Sequence, residues 1–298
     1  MSVLVACDLD GTLIYSARAL ALPHTATPEL VCVETLDGRP ASFMTVSAAN
    51  AMEQLADVAT VVPVTVRSPE QLARVRLPGA SRYAVAANGG RLFVDGVVDP
   101  GWSRRVAEYV SDQCPFAQLR AHVAEVEKQG WLHRARGVEE LFCYGIVDLA
   151  TVPRDAVAAE VEYAAELGWR LSLQGRKLYW VPRGLDKAIA VSELVERLGM
   201  PALLAAGDSG LDAEMLRRAD AAIRPAHGEL HRTGWNDSRV AVTSTVGVLA
   251  GEQIAEWLLA EALRRRAGAA LLAAPPPDQQ QDDDDDERGD VSLRRQVS

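Results

Sequence analysis

No apolar run in this chain approaches the roughly 20 residues that a membrane-spanning helix needs, which argues against a transporter or an integral anchor. The N-terminus enters a strand-like segment at Val3 with no basic region ahead of an apolar stretch, so no secretory leader is expected. There is no basic stripe or basic amphipathic helix, which argues against nucleic acid and membrane surfaces as partners. Cysteine is scarce: Cys7, Cys32, Cys114 and Cys143 show no CxxC or other metal-binding spacing. They read as reduced core residues of a cytoplasmic protein.

What is present is an ordinary globular composition, 48% hydrophobic and 24% charged over 298 residues, enough for a large core and a second, smaller domain. The net charge of −10 is concentrated at one end. From Pro275 to Ser298, eight acidic residues against three arginines leave −5, half of the total. This Pro-, Gln- and Asp-rich tail cannot build a core, and residues 267–298 are expected to be disordered.

Short Val/Ala/Leu-rich runs at 3–7, 59–65, 83–88, 202–207 and 221–225 lack polar alternation and read as parallel strands buried on both faces. Helical patterns lie between them, at 47–58 and at 185–198, the latter with Asp186 as N-cap and Gly199 as the glycine that ends it. The fold class is therefore α/β, a doubly wound parallel sheet. Residues 99–182 follow an α-α-β-β-α-β-β order, with a hairpin turning near Gly175, and are expected to form an inserted α+β domain. The core then comprises 1–98 and 183–266. Asp37-Gly38 predicts a hairpin within the segment 15–46.

The chemistry is carried by carboxylates. In "VACDLDGT" a buried strand ends in Asp8 and Asp10. Like charges this close repel, and a divalent cation reverses that repulsion. Hard oxygen ligands in small number suit Mg²⁺. A second pair, Asp208 and Asp212 in "AAGDSGLD", ends another apolar strand. Thr65 closes the strand in "VTVRS", where a hydroxyl can hold a phosphate oxygen. Lys187 lies in the first turn of a helix, a place the helix dipole disfavours for a cation unless an anion sits beside it.

"DLDGT" (8–12), Thr65, Lys187 and "GDSGLD" (207–212) resemble, in order and spacing, the four motifs of the haloacid dehalogenase (HAD) superfamily. "VTVRS" (64–68), "ANGGRLFVDG" (87–96) and the form of the insert are similar to its Cof-like and sucrose-phosphatase-like branch, except that Val66 stands where that branch has glycine and the passage 15–46 is longer. The stretch from "VETLDGRPASFMT" to "RVRLPG" is most similar to HAD proteins of bacterial tellurium-resistance and stress gene clusters.

The resemblance implies a Mg²⁺-dependent phosphatase of a small phosphorylated metabolite, with a sugar phosphate the leading class. It implies that Asp8 is the nucleophile, that Asp10 is the acid/base, and that Mg²⁺ is held by the Asp8 carboxylate, the Asp10 carbonyl and Asp208, supported by Asp212. Thr65 and Lys187 would bind the phosphoryl oxygens. Arg67 would reach substrate or brace the loop, and Asn88 would shape the turn into the cap or touch substrate. A phosphomutase and a non-catalytic binding module on the same fold are the alternatives. The segment 30–45 is expected to project toward the cap and wall the substrate pocket.

Overall fold

A computed structural model describes residues 3–110, 115–153 and 155–273 of the chain. Its centre is a five-stranded, all-parallel sheet. The strand Val3–Cys7 lies in it between Ala59–Pro63 on one side and Leu203–Ala206 on the other, and Ala221–Arg224 and Val240–Val242 complete the order. The first strand shows why this layer forms. Leu4 and Ala6 join one buried cluster, whereas Val3, Val5 and Cys7 join the other. A period-two alternation with no polar face must be covered on both sides.

One side is covered by the helices Val46–Ala56 and Val248–Ala273, which supply Ala48, Met52, Leu55, Ile254 and Leu258. Thr45 caps the first of these, its hydroxyl accepting from the Ala48 N–H at 3.0 Å. The helices Lys187–Arg197 and Ala213–Arg218 cover the other side with Val191, Leu194, Met215 and Leu216.

The inserted domain follows the expected order. The helices Pro100–Val110, Phe116–Lys128 and Ala156–Glu166 accompany a four-stranded antiparallel sheet. Its strands are Leu132–Val138, Phe142–Val147, Trp169–Gln174 and Lys177–Pro182, with a turn at Gly175 (φ 57°).

Four expectations need correction or completion. Tyr83–Ala86 is not a strand of the parallel sheet. It pairs antiparallel with Arg91–Val94 because the chain doubles back at once through Ala87 and Asn88 (φ 50° and 54°), and one parallel bridge, Val64 to Val85, ties it to the core. The edge strand Val240–Val242 is only three residues long and carries no pattern that period analysis can register. The last helix runs through Ala273, past the boundary placed at 267, because 267–273 is Ala- and Leu-rich and continues the helix it follows. The rest of the acidic tail, and Cys114, lie outside the described residues.

The fourth correction concerns the segment 30–45. The hairpin is there: Leu30–Leu36 pairs with Arg39–Thr45 through Asp37 (φ 51°) and Gly38 (φ 73°), both left-handed as a two-residue turn of this kind requires. It packs beside the two helices of its own face, with Val33 and Met44 buried among their side chains. None of its residues lines the large pocket between core and cap; Ile14, Tyr15, Ser16, Arg18 and Ala19 do so instead.

Candidate active site

Strand register assembles the site. Cys7 lies opposite Ala206 on one side and Pro63 on the other. The residues that follow each strand are therefore neighbours: Asp8 beside Gly207-Asp208, and Val64-Thr65 on the opposite flank. The Asp8 N–H donates to the Ala206 carbonyl at 2.9 Å, and the Val64 N–H to the Cys7 carbonyl at 2.7 Å. Motifs some two hundred residues apart in sequence thus meet at the carboxyl end of one sheet, where folds of this type place their ligands.

Asp8 is buried. Lys187 Nζ donates to its Oδ1 at 2.6 Å and the Thr12 hydroxyl to its Oδ2 at 3.2 Å. Lys187, 1% exposed, also donates to Asp212 Oδ1 at 2.6 Å. The remaining Asp212 oxygen accepts from the Ser209 hydroxyl (2.6 Å) and from the N–H groups of Ser209 (2.9 Å) and Asp208 (3.2 Å). Asp212 is therefore fully engaged in holding the loop. The Asp208 carboxylate has no hydrogen bond among the described residues, and it lines the pocket. Gly11 (φ 81°) lets it approach: a Cβ there would lie 2.9 Å from Asp208 Oδ2.

The electrostatics are unbalanced. Burial pushes the Asp8 carboxyl up to about 7, with Asp212 adding to the rise and Lys187 opposing it. Burial, then Asp8 and Asp212, push Asp208 well above the usual carboxylate range. One lysine faces three carboxylates whose oxygens lie within 4.8 Å of one another. An all-oxygen donor set with surplus negative charge and an unpartnered Asp208 fits a hard divalent cation.

Asp10 differs from these. It is 46% exposed at the pocket, and Arg67 grips it with two bonds, Nε to Oδ2 at 2.6 Å and Nη2 to Oδ1 at 2.8 Å. Burial by the surrounding chain would raise its carboxyl, but the Arg67 bonds and charge outweigh this and hold it below the ordinary value. Arg67 is in turn held by Glu34 of the hairpin, through Nη1 to Oε1 at 2.9 Å and Nη2 to Oε2 at 3.0 Å. Glu34 is 5% exposed and also accepts from the Ser42 hydroxyl (2.7 Å) and Arg74 Nε (3.2 Å). The contribution of the hairpin to the site is this Glu34–Arg67–Asp10 chain of charges.

Removing one partner of a buried ion pair costs about 3–5 kcal/mol. For a domain of this size that corresponds to a fall in Tm of very roughly 6–20 °C. Glu34→Ala is therefore expected to lower Tm by about 6 °C or more. A thermal melt showing a shift under ~2 °C would remove Glu34 from this role.

Two further candidates, like Asp8 and Lys187, are not among the residues that line the pocket. Thr65 is fully buried, and its Oγ1 accepts from the Arg67 N–H at 3.2 Å. Asn88 is also fully buried. Its Nδ2 donates to the Leu185 carbonyl at 3.0 Å, which ties together the two chain crossings into the cap, and it does not line the pocket. Gly89 permits this crossing, since a Cβ there would meet the Asp186 carbonyl at 2.4 Å.

Sequence reading missed the braces of the first loop. The Tyr15 hydroxyl donates to the Gly11 and Thr12 carbonyls, both at 3.0 Å. His227 accepts the Gly247 N–H on Nδ1, so Nε2 carries the proton and donates to the Gly11 carbonyl at 2.9 Å. Burial lowers the His227 pKa, in keeping with this neutral form. Glu229 was missed as well; it links core and cap by accepting from the Gly210 N–H (2.8 Å) and the Ser172 hydroxyl (2.6 Å).

The chain has the HAD-type fold, a doubly wound core with an inserted α+β cap, and solved structures of that superfamily share it. The sucrose-phosphatase of Synechocystis sp. PCC6803, in complex with sucrose and phosphate, is 17% identical, with 89% of this chain and 98% of that chain covered and a TM-score of 0.58. A HAD subclass IIB sugar phosphatase is 15% identical over 89% and 99% of the two chains, TM-score 0.55. A trehalose-6-phosphate phosphatase related protein is 16% identical over 88% and 99%, TM-score 0.52. No family model and no curated protein matches the chain.

Proposed function

We propose that the protein is a phosphatase of a small phosphorylated metabolite, a sugar phosphate by preference, acting through an aspartyl phosphate on Asp8. The observation that carries this reading is the meeting of Asp8, Lys187, Asp208 and Asp212 at one sheet end, with Asp10 facing an adjoining pocket of about 1190 Å³. That volume exceeds the ~300–1,000 Å³ of common small-molecule sites, so it has room for a sugar beyond the phosphoryl group. The similar solved structures named for sucrose-phosphatase and sugar phosphatase support the same class.

In this reading Asp8 attacks phosphorus and the leaving oxygen takes a proton from Asp10. Asp10 then takes a proton from the water that hydrolyses the aspartyl phosphate. The Arg67 grip holds Asp10 as a carboxylate, the form needed for the second step. Proton donation in the first step requires that grip to relax as substrate enters. Lys187 neutralises charge on the phosphoryl oxygens, and Thr65 holds the loop that carries Arg67. Asp8, Asp208 and the Asp10 carbonyl would hold Mg²⁺, with Asp212 behind them. When bound, the ion supplies charge neutralisation at the phosphoryl group. Buried, unpaired Cys7 and Cys143 support a reducing compartment such as the cytoplasm. No helix of the described residues is long and apolar enough to cross a membrane.

The test is phosphate release from p-nitrophenyl phosphate and from glucose 6-phosphate, with Mg²⁺ and with EDTA. Mg²⁺-dependent release is expected from both. Asp10→Asn should lose about 10²–10⁴-fold on the alkyl ester, whose leaving group needs a proton, and distinctly less on the aryl ester. An equal defect on the two esters removes Asp10 from the acid role. No release from either rejects the phosphatase reading.

A further inference from the structure

Besides Asp10 and Asp208, the pocket is lined by basic side chains, Arg18 from the segment after the first loop and Arg134, Arg176 and Lys177 from the cap, with His133 beside them. Asp10 and Asp208 are the only carboxylates among the described residues that line it. Arg18, Arg134 and Arg176 have no ion-pair partner among the described residues. Several arginines elsewhere are paired, Arg82 with Asp95, Arg91 with Glu139, Arg105 with Glu193, Arg197 with Asp99 and Arg218 with Glu214, while others such as Arg39 and Arg183 are not, so what distinguishes this group is its convergence on one pocket. In a chain whose net charge is −10, the convergence of four basic side chains on one pocket is not a sampling of the surface.

The cap sheet is shaped to aim these groups. Lys177 pairs across the ladder with Ile146, and Ile146 with His133, so all three stand on one face. In a regular strand the next residue, Arg134, would point to the other face. It does not, because the ladder shifts register between Tyr144 and Ile146, and Arg134 takes φ 53°. This is a bulge with a left-handed arginine where glycine would be least strained. Consecutive residues His133 and Arg134 therefore both line the pocket. Backbone strain that turns a charge into a ligand site is characteristic of functional positions.

We infer that this cap face is a second anion subsite, and that the substrate is a phosphomonoester bearing a further anionic group, a carboxylate or a second phosphate, at the end remote from the transferred phosphoryl. The inference rests on the phosphatase reading for the identity of the near end, and it narrows the sugar-phosphate class to acidic members. Arg134 and Arg176 present paired N–H donors suited to a carboxylate or phosphate fork, with Lys177 and Arg18 adding charge.

Glucose 6-phosphate and 6-phosphogluconate serve as probes, since the second adds a carboxylate to a similar carbon skeleton. Their binding to the full-length Asp8→Asn protein is measured by calorimetry with Mg²⁺, and their kcat/KM on the wild type by phosphate release. We expect 6-phosphogluconate to bind at least about tenfold more tightly, and Arg134→Ala with Arg176→Ala to bring that ratio below about threefold. Equal binding of the two probes, or a ratio that survives both substitutions, overturns the subsite. If no ester is turned over but the binding ratio holds and collapses in the double variant, the phosphatase reading fails and the subsite stands. If turnover proceeds with a ratio near one in both proteins, the subsite fails and the phosphatase reading stands.

Discussion

Asp8→Asn is expected to abolish phosphate release, by about 10⁴-fold or more, while the chain stays folded. The Asp8 carboxylate lies between Lys187 and Thr12 at the end of a fully buried strand, and no other described group occupies its place in the register. An amide keeps the shape but cannot form the aspartyl phosphate. Stability should move the other way. Burial raises the Asp8 carboxyl from 3.8 to about 7. A carboxyl whose folded pKa is raised favours the folded state fully below its unfolded pKa, and that contribution is lost as pH rises through the folded value. An amide does not ionise. In EDTA, the Tm of Asp8→Asn relative to wild type should therefore rise between about pH 4 and pH 8. Circular dichroism and a phosphate-release assay check the two halves separately. Activity within tenfold of wild type would falsify the nucleophile assignment.

The sequence made the core legible where the physics is local. Val3–Cys7 has no polar face, so it had to be covered on both sides, and two acids at its end could only be tolerated near positive charge. Lys187 was conspicuous because a helix start disfavours a cation, and the structure supplies its anions, Asp8 and Asp212. What local pattern could not give is pairing across distance. Glu34 reads as one polar residue in a hairpin strand; only the fold brings it to Arg67, 33 positions away. The hairpin was expected to wall the pocket, yet Val33 and Met44 are apolar on the side facing the two covering helices, and that burial decided its placement. The bulge at Arg134 was hidden for a related reason. "WLHRAR" breaks alternation at His133-Arg134, but such a break alone does not reveal a bulge, and the register shift exists only opposite Tyr144 and Ile146.

Lys187→Ala should be a destabilising change as well as an inactivating one. Its ammonium is 1% exposed and 2.6 Å from both Asp8 Oδ1 and Asp212 Oδ1. Burial alone would lower its pKa, but the two carboxylates overcome that and raise it, so the group is charged throughout the working pH range. Without it, two buried carboxylates face each other with Asp208 close by and no cation between them. Leaving buried charge uncompensated costs about 3–5 kcal/mol, equivalent to a fall in Tm of very roughly 6–20 °C for a domain of this size. Carboxyls deprived of their counter-charge have raised pKa values, so the deficit should be largest at high pH and shrink as pH falls and they take up protons. A divalent cation offers a partial replacement for the missing charge. At about 100 times its Kd it restores up to ~2.7 kcal/mol, so the Tm gap between variant and wild type measured in EDTA should narrow on adding Mg²⁺ only if the variant binds the ion more tightly than wild type does. Activity should not return with it. In the proposed reaction the ammonium neutralises the phosphoryl oxygens, and losing one such stabilising group typically removes about 10²–10³ in kcat. Thermal melts in EDTA and in Mg²⁺, run beside the phosphate assay, separate the two roles. A variant as stable as wild type at pH 8 without metal would show that Lys187 does not compensate Asp8 and Asp212. A variant that regained full activity with Mg²⁺ would show that its part in the reaction is charge balance alone.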